Sequence, residues 1–398
     1  MTEEELIREL ITWQENVPLS PAQVIFISLL ITVIVILIIS ASLGYFRIVL
    51  NIASFAAPIA RVKAMGTPYI LPENLTTLIE AQGLQSLVSK LREAGLPLEE
   101  DIYTVTSLQR AIDLQYFREM ELLERSGPAV IRPYLHAYLS ILELEQMKRA
   151  LVSIHERVDP SHREKILLPV GEITPTLIQK MTAATSIEDL ATQMMNTRLG
   201  VLLMTAIPEY REQGTPLFLL LLLDRFVFEE LNRAVRMMNP ADAAPILQYN
   251  SIFSDISNIR IILRAKQMGI PPASLEKYLL PGGREFSPEQ LKKIYEYPTS
   301  EEIIGHLVGT SYGDVLGDAL PAVRNAGSIQ PLELTLDRHL LTTALSLGTI
   351  YSLGAGPILA FIVAKKYEIH NLHIAFTGTH EGLPPERMKK VLIMGKAA

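Results

Sequence analysis

The sequence has no cysteine, so neither disulfide bonds nor thiolate metal sites are available to it. It has no basic excess either. The net charge is −7, and no stripe of Lys and Arg is present to neutralise phosphates, which excludes nucleic acid as a partner. Aromatic residues are scarce, 7% against 48% hydrophobic, and the apolar content is rich in Leu and Ile, which suits packed helices better than a sandwich of strands. The marks of chemistry are missing as well. Gly305, Gly309 and Gly313 lack the Gly-Lys-Ser/Thr ending of a phosphate loop, Pro281-Gly282-Gly283-Arg284 reads as a turn, and no Gly-x-Ser-x-Gly nucleophile turn occurs. No cofactor, small-molecule substrate or reaction is implied, and the chain does not read as an enzyme.

Charge is absent from one stretch altogether: residues 16–46 include no Asp, Glu, Lys, Arg or His. Its centre, residues 24–39, is almost entirely Val, Ile, Leu and Phe. About 20 such residues cross a bilayer, so residues 21–47 are expected to form a transmembrane helix in contact with lipid. A cleaved signal peptide does not fit, because the apolar run is too long and acids precede it. Before the span lie Glu3, Glu4, Glu5, Glu9 and Glu15; after it come Arg47, Arg61 and Lys63. The basic side faces the cytoplasm, which gives a single-pass protein of the cell membrane with its large C-terminal part inside. Residues 1–20 read as an amphipathic segment, Thr2 capping a helix that runs to about Trp13. A short linker, 47–60, follows the span.

What the rest of the chain does have is repetition. Asp255-Ile256-Ser257-Asn258-Ile259-Arg260-Ile261, running on to Gly269-Ile270-Pro271-Pro272, returns as Glu368-Ile369-His370-Asn371-Leu372-His373-Ile374, running on to Gly382-Leu383-Pro384-Pro385. Asn258 and Asn371 stand 113 positions apart (371 − 258). At the same offset Thr174-Pro175 becomes Ser287-Pro288, Glu188-Asp189-Leu190 becomes Glu301-Glu302-Ile303, Thr197 and Gly200 become Thr310 and Gly313, and Leu223-Asp224-Arg225 becomes Leu336-Asp337-Arg338. Glu143-Leu144-Glu145-Gln146 is a fainter copy 112 positions earlier (258 − 146). Internal repeats of this kind dictate the architecture. The expected organisation is all-α: helical units over 48–160, 161–272 and 273–398, three tandem similar domains. Each ends in two long helices, 216–238 and 240–269 in the second unit, 331–353 and 356–382 in the third. The first unit matches at 103 near Pro72 and at 111 near Asp113, so the second carries extra residues, expected as a loop at 203–213 beside Pro208 and Gly214. The Leu-rich run 217–223 is cut by Asp224 and Arg225, too short for a bilayer, and reads as a buried helix.

Polar residues set into apolar helices are the candidate sites. Asp224, Arg225, Asp337 and Arg338 lie beside Asp255, Asn258, Glu368 and Asn371 in the repeated helices. Buried charges must be paired, so these form either an internal network joining the long helices or a surface aimed at a partner protein. Their recurrence favours the network, since a catalytic site is more usually unique. His370 and His373 imitate a metal pair, but Ser257 and Arg260 hold the equivalent places and no third ligand stands at standard spacing, so no metal is expected.

Three stretches carry a family resemblance: Ala60-Arg61-Val62-Lys63-Ala64-Met65, the helix with Asp255, Asn258 and Arg264-Ala265-Lys266, and the closing Lys366-Tyr367-Glu368-Ile369-His370-Asn371-Leu372. Over residues 50–398 the chain resembles the C subunit of A-type (archaeal and bacterial V-type) ATP synthases, whose eukaryotic counterpart is the d subunit of V-ATPases. The resemblance implies a non-catalytic central-stalk subunit, with Arg61, Lys63 and Met65 in its opening motif. It implies a pseudo-three-fold funnel on the membrane rotor ring (the c-ring), its socket holding the central axle subunits. Most members lack the N-terminal span. The alternatives are a membrane-anchored helical-repeat scaffold for another cytoplasmic partner, and a metalloenzyme using His370 and His373.

Overall fold

In the computed structural model, residues 20–42, 44–96, 98, 104–271, 275–326 and 328–395 are described. The expected N-terminal amphipathic helix lies outside them. Among the described residues every regular element is helical and there is no strand; Val170 and Ile173 form one isolated bridge. The chain divides into two compact units, residues 1–56 and 57–398.

The first unit holds helix α1 (Pro21–Ser42) and the start of α2 (Tyr45–Met65). Ser20 and Gln23 open α1 reciprocally, the Ser20 amide donating to Gln23 Oε1 at 2.8 Å and the Gln23 amide to Ser20 Oγ at 3.3 Å. Thr32, the one hydroxyl in mid-helix besides Ser28, returns its proton to the Ser28 carbonyl at 2.8 Å. The apolar side chains of α1 are exposed all round, Ile25 and Phe26 at 67% and Ile38 at 61%. Among the described residues two helices are long and apolar enough to cross a membrane: Pro21–Ala41 at mean hydropathy 3.2, and Phe46–Met65 at 1.4. The second contains Arg47, Arg61 and Lys63 and stands where a linker was expected. It runs as helix through Pro58, which removes one backbone donor, because the flanking residues, Ala56, Ala57 and Ala60 among them, are strong helix formers.

The second unit is built on six long helices: α5 (Val105–Ser126), α6 (Arg132–His155), α11 (Pro216–Arg236), α12 (Pro240–Gln267), α17 (Gln330–Ile350) and α18 (Gly356–His380). Short turns make hairpins of them. Asn239 shows the chemistry, its side chain accepting the Ala241 amide while Pro240 begins α12. Each long helix touches the next, α5–α6–α11–α12–α17–α18, and α18 returns to α5. The ring is closed.

Short helices fill in between: α3 (Pro72–Ile79) and α4 (Leu84–Glu93) before α5; α7 (Pro160–Ile166), α8 (Pro175–Ala183), α9 (Ile187–Gln193) and α10 (Arg198–Gln213) before α11; α13 (Pro288–Glu296), α14 (Ser300–His306), α15 (Gly313–Gly317) and α16 (Leu320–Ala326) before α17; and α19 (Pro385–Val391) after α18. Their caps follow the sequence pairs. Thr174 and Ser287 accept the Leu177 and Gln290 amides, and Ser186 and Thr299 accept the Asp189 and Glu302 amides. Residues 203–213, expected as a loop, are the body of α10. Leu199, Leu203, Ala206 and Ile207 bury one face of it, and that helical stripe outweighs the missing donor of Pro208. Gly214, at φ +67°, ends it. Leu219 and Leu223 are fully buried, as the Leu-rich run suggested.

Two apolar cores show the plan. One runs from Leu144 and Met147 of α6 through Met181, Leu190 and Leu203 to Leu219 and Val227 of α11. The other runs from Leu372 and Phe376 of α18 through Leu392, Tyr69, Leu75 and Leu87 to Leu108 and Ile112 of α5. It draws on both ends of the unit. Each fully buried Leu in these cores contributes about 1.5–3 kcal/mol.

Candidate functional site: a repeated polar network around a central cavity

The first layer of the network fastens segments to long helices. Gln146 Oε1 on α6 accepts the Leu168 amide at 3.0 Å, 22 positions on. Asn258 on α12 does the same for Leu280 at 2.7 Å, also 22 positions on, and its Nδ2 donates to the Leu280 carbonyl at 2.9 Å. Asn371 on α18 treats Ile393 alike, at 2.9 and 2.8 Å and again 22 positions on. A carboxylate stands one turn before each amide. Glu143 accepts the Glu172 amide at 2.8 Å and Asp255 accepts the Glu285 amide at 2.8 Å. Glu368 accepts the Tyr69 amide at 3.0 Å, from the other end of the unit. Glycine makes room for two of these acids: a Cβ on Gly171 would meet Glu143 at 1.9 Å, and one on Gly283 would meet Asp255 at 2.1 Å. Burial pushes the carboxyls of Glu143, Asp255 and Glu368 above the ordinary range, against the hydrogen bonds that favour their ionised forms. Lys365, 2.7 Å from Glu368 and 3.3 Å from Glu119, completes that site.

The second layer joins long helix to long helix. Lys148 on α6 pairs with Asp224 on α11, and with Glu145 at 2.9 Å. Burial works against its ammonium, but Asp224 and Glu145 outweigh it and hold the Lys148 pKa above the ordinary value. Arg260 on α12 pairs with Asp337 on α17 at 2.8 Å, and Asp337 also accepts the Tyr367 hydroxyl at 2.7 Å. Arg264 reaches Glu333 at 2.5 Å. Asp113 on α5 lies 2.9 Å from His373 on α18 and 3.6 Å from Arg149 on α6. A third layer is made by arginines reaching carbonyls. Arg225 donates to Lys277 at 2.8 Å, Arg338 to Lys390 at 3.1 Å and Leu392 at 2.9 Å, and Arg110 to Leu167 at 3.0 Å.

Inside the ring is a cavity of about 410 Å³ whose wall is strongly aromatic, with Tyr116, Tyr134, Tyr138, Phe228, Tyr249 and Phe253 on four of the long helices. The Tyr116 and Tyr138 hydroxyls are 2.8 Å apart. Burial raises Tyr116 and Tyr134 well above 10 and pushes Tyr138 up to about 12, so these phenols stay neutral hydrogen-bonding groups. The wall sets this aromatic area beside the ionisable side chains of Asp113, Glu145, Arg149, Lys366, His370 and His373.

Of the sequence-selected residues, Asp224, Arg225, Asp255, Asn258, Arg264, Asp337, Arg338, Glu368 and Asn371 all make the contacts given above. Arg61 and Lys63 are exposed on α2 and Met65 is half-buried. Sequence reasoning passed over Asp113, Lys148, Arg260, Arg149 and Lys365. The signal was present: Lys148, Arg260 and His373 occupy one repeat position, but their side chains look unalike in a one-line comparison. Among the described residues no group of three or more His, Asp or Glu side chains is set to hold a metal ion.

Residues 58–391 match the family model described as ATP synthase (C/AC39) subunit. The A-type ATP synthase C subunit of Methanobrevibacter smithii is 27% identical over 348 residues, 87% of this chain and 90% of that one. The corresponding C subunit of Methanothermobacter thermautotrophicus is 27% identical over 347 residues, 87% of this chain and 89% of its own length. That of Methanosphaera stadtmanae is 25% identical over 371 residues, covering 92% and 95%. The matched region takes in all six long helices of the closed ring. These findings define an all-helical, non-catalytic subunit of an ATP synthase. The chain belongs to the ATP synthase (C/AC39) subunit family.

Proposed function

We propose that this chain is the central-stalk socket of an A-type rotary ATP synthase, coupling the axle to the membrane rotor ring. The cavity lined by five of the six long helices carries the reading. It has an aromatic wall with hydroxyls at fixed points, set in a body whose neighbouring helices are fastened by three layers of polar contacts. A well-packed interior of that kind transmits strain with little compression, as a torque coupling requires. The body is read as three tandem similar helical units, 48–160, 161–272 and 273–398. The polar network is read as internal reinforcement, leaving the aromatic wall to meet the axle. A tyrosine-sized photocrosslinker placed at Tyr249 in the tagged, assembled complex tests this. The expected adduct is with an axle subunit; adducts with the stator alone would overturn the socket reading.

α1 is assigned to the bilayer, with the large unit on the cytoplasmic side, supported by its length and its all-round apolar surface. A helix attached to a body that caps a ring of membrane helices is suited to the ring's lipid-filled centre, turning with the rotor as a pin. Deleting residues 1–46 is then expected to weaken retention of the protein on purified rings. Unchanged retention would sink the pin.

A further inference from the structure

Exposed apolar surface does not end with α1. Gly44, at φ +73°, breaks the helix, and the Arg47 amide donates to the Gly44 carbonyl at 3.1 Å as α2 begins. Phe46, Ile48, Val49, Leu50 and Ile52 follow, and all five are exposed. By that point a spanning α1 has crossed the membrane. Its 22 residues rise about 33 Å at 1.5 Å each, against about 30 Å of hydrocarbon. The start of α2 is left with apolar area and no further thickness to cross.

Its pattern changes too. The apolar side chains of α1 point in every direction, whereas α2 has two faces. Arg47, Asn51 and Ser54 stand at i, i+4 and i+7 and make one polar stripe, which runs on into the buried Pro58 and Val62. Ser54 Oγ donates to the Asn51 carbonyl at 2.6 Å within that stripe. Phe46, Val49, Ile52, Ala53 and Ala56 form the opposite face, all exposed, and the first charge on that face is Lys63. Position says what covers it. Two peptide units separate Gly44 from Phe46, so their Cα atoms stand no more than about 7 Å apart. The medium at the end of α1 is the medium at the start of α2.

We propose that residues 46–56 are a membrane foot, a helix laid along the bilayer surface where α1 emerges. Its face of Phe46, Val49, Ile52 and Ala53 sinks about 5–10 Å, into the boundary between headgroups and acyl chains. Arg47, on the opposite stripe, reaches the lipid phosphates, which its planar fork of donors matches. The occupant of this face is lipid, not protein. The foot rests on the assignment of α1 to the bilayer, and it adds a second, sideways attachment that a bare span does not have. A third helical span is not needed to explain the apolar area, because the polar stripe of α2 would lie in hydrocarbon along its whole length.

The chain has no cysteine, so a single introduced one carries a nitroxide label without background. The full chain is placed in vesicles of phosphatidylcholine and phosphatidylglycerol with Ile31→Cys, Val49→Cys, Asn51→Cys, Ile52→Cys or Ser54→Cys, all at exposed positions. Collision of each label with oxygen, which concentrates in lipid, is compared with collision with a nickel chelate, which stays in water. The ratio is expected to be highest at 31, and roughly threefold or more higher at 49 and 52 than at 51 and 54. A label at 31 bathed in water would remove α1 from the bilayer and the foot with it. Lipid at 31 with water at 49 and 52 would overturn the foot alone and leave that face to a protein partner. Lipid at all five positions would overturn it as well, since the segment would then continue through the membrane.

Discussion

The Tyr69 amide donates to Glu368 Oε1 at 3.0 Å, across 299 positions of chain. The Tyr69 carbonyl, in turn, accepts from Asn371 Nδ2 at 2.9 Å, and next to it Gly395 donates its amide to the Ile70 carbonyl at 3.0 Å. A contact spanning 29 positions at Glu143–Glu172 thus becomes, at Tyr69–Glu368, a clasp between the two ends of the unit.

The buried amides should dominate local stability. Asn258→Ala and Asn371→Ala each strand the N–H and C=O of a buried residue, Leu280 or Ile393, and are expected to cost about 2–4 kcal/mol. Urea denaturation of the full chain in detergent checks it. A loss below about 0.5 kcal/mol at either site would show that these bonds do not hold the segment.

Asp255 should make stability depend on pH. Its folded-state pKa is raised, chiefly by burial, so between the unfolded and folded values the folded chain binds more protons than the unfolded one. The stability it contributes is present below about pH 4 and is lost as pH rises through the folded value. Denaturation midpoints are expected to improve for the wild type relative to Asp255→Asn as pH falls from 7 into that window. The opposite trend would mean that the Arg284 and Glu285 amides and the Tyr312 hydroxyl, which all donate to Asp255, outweigh its burial.

Two glycines mark a close approach. A Cβ on Gly200 would meet the Met194 carbonyl oxygen at 1.9 Å, and one on Gly313 would meet that of Leu307 at 2.1 Å. Gly200→Ala and Gly313→Ala should each destabilise by about 1–3 kcal/mol through forced backbone shifts. Thermal unfolding is the measurement; Gly305→Ala, where a Cβ would meet open space, is the control.

The Arg260–Asp337 pair is shielded on both sides, while Arg264 facing Glu333 is 62% exposed. Double-mutant cycles should give a coupling of about 1 kcal/mol for the first and less for the second. A larger coupling for the exposed pair would reverse the ranking.

Ile31→Arg places a charge at the middle of α1. It should disfavour insertion by about 2.5–3.5 kcal/mol and move protein from the membrane fraction to the soluble one. Unchanged fractionation would remove α1 from the bilayer.

Much of the fold was legible in the sequence because caps and apolar spacing are local. Thr174 and Ser287, and Gly200 and Gly313, each announced the same turn twice. The helix through Pro208 runs against its local signal, because proline signals a break, whereas the buried stripe at 199, 203, 206 and 207 decides. The contacts of Glu368 with Tyr69 could not be read along the chain, since nothing local ties positions 299 apart. His373 was hidden for another reason: imidazole does at one position what lysine and guanidinium groups do at its equivalents.

The core shared by Leu108, Ile112, Leu372 and Phe376 sets an order on synthesis. While the ribosome is still adding residue 300, the segment from Tyr69 to Ile112 has already emerged without the helix it must cover. Its apolar face waits for a chaperone or for the late-made partner, and any product cut short before α18 keeps that face uncovered. Quality control could therefore recognise an unfinished copy by a surface that only a finished one conceals.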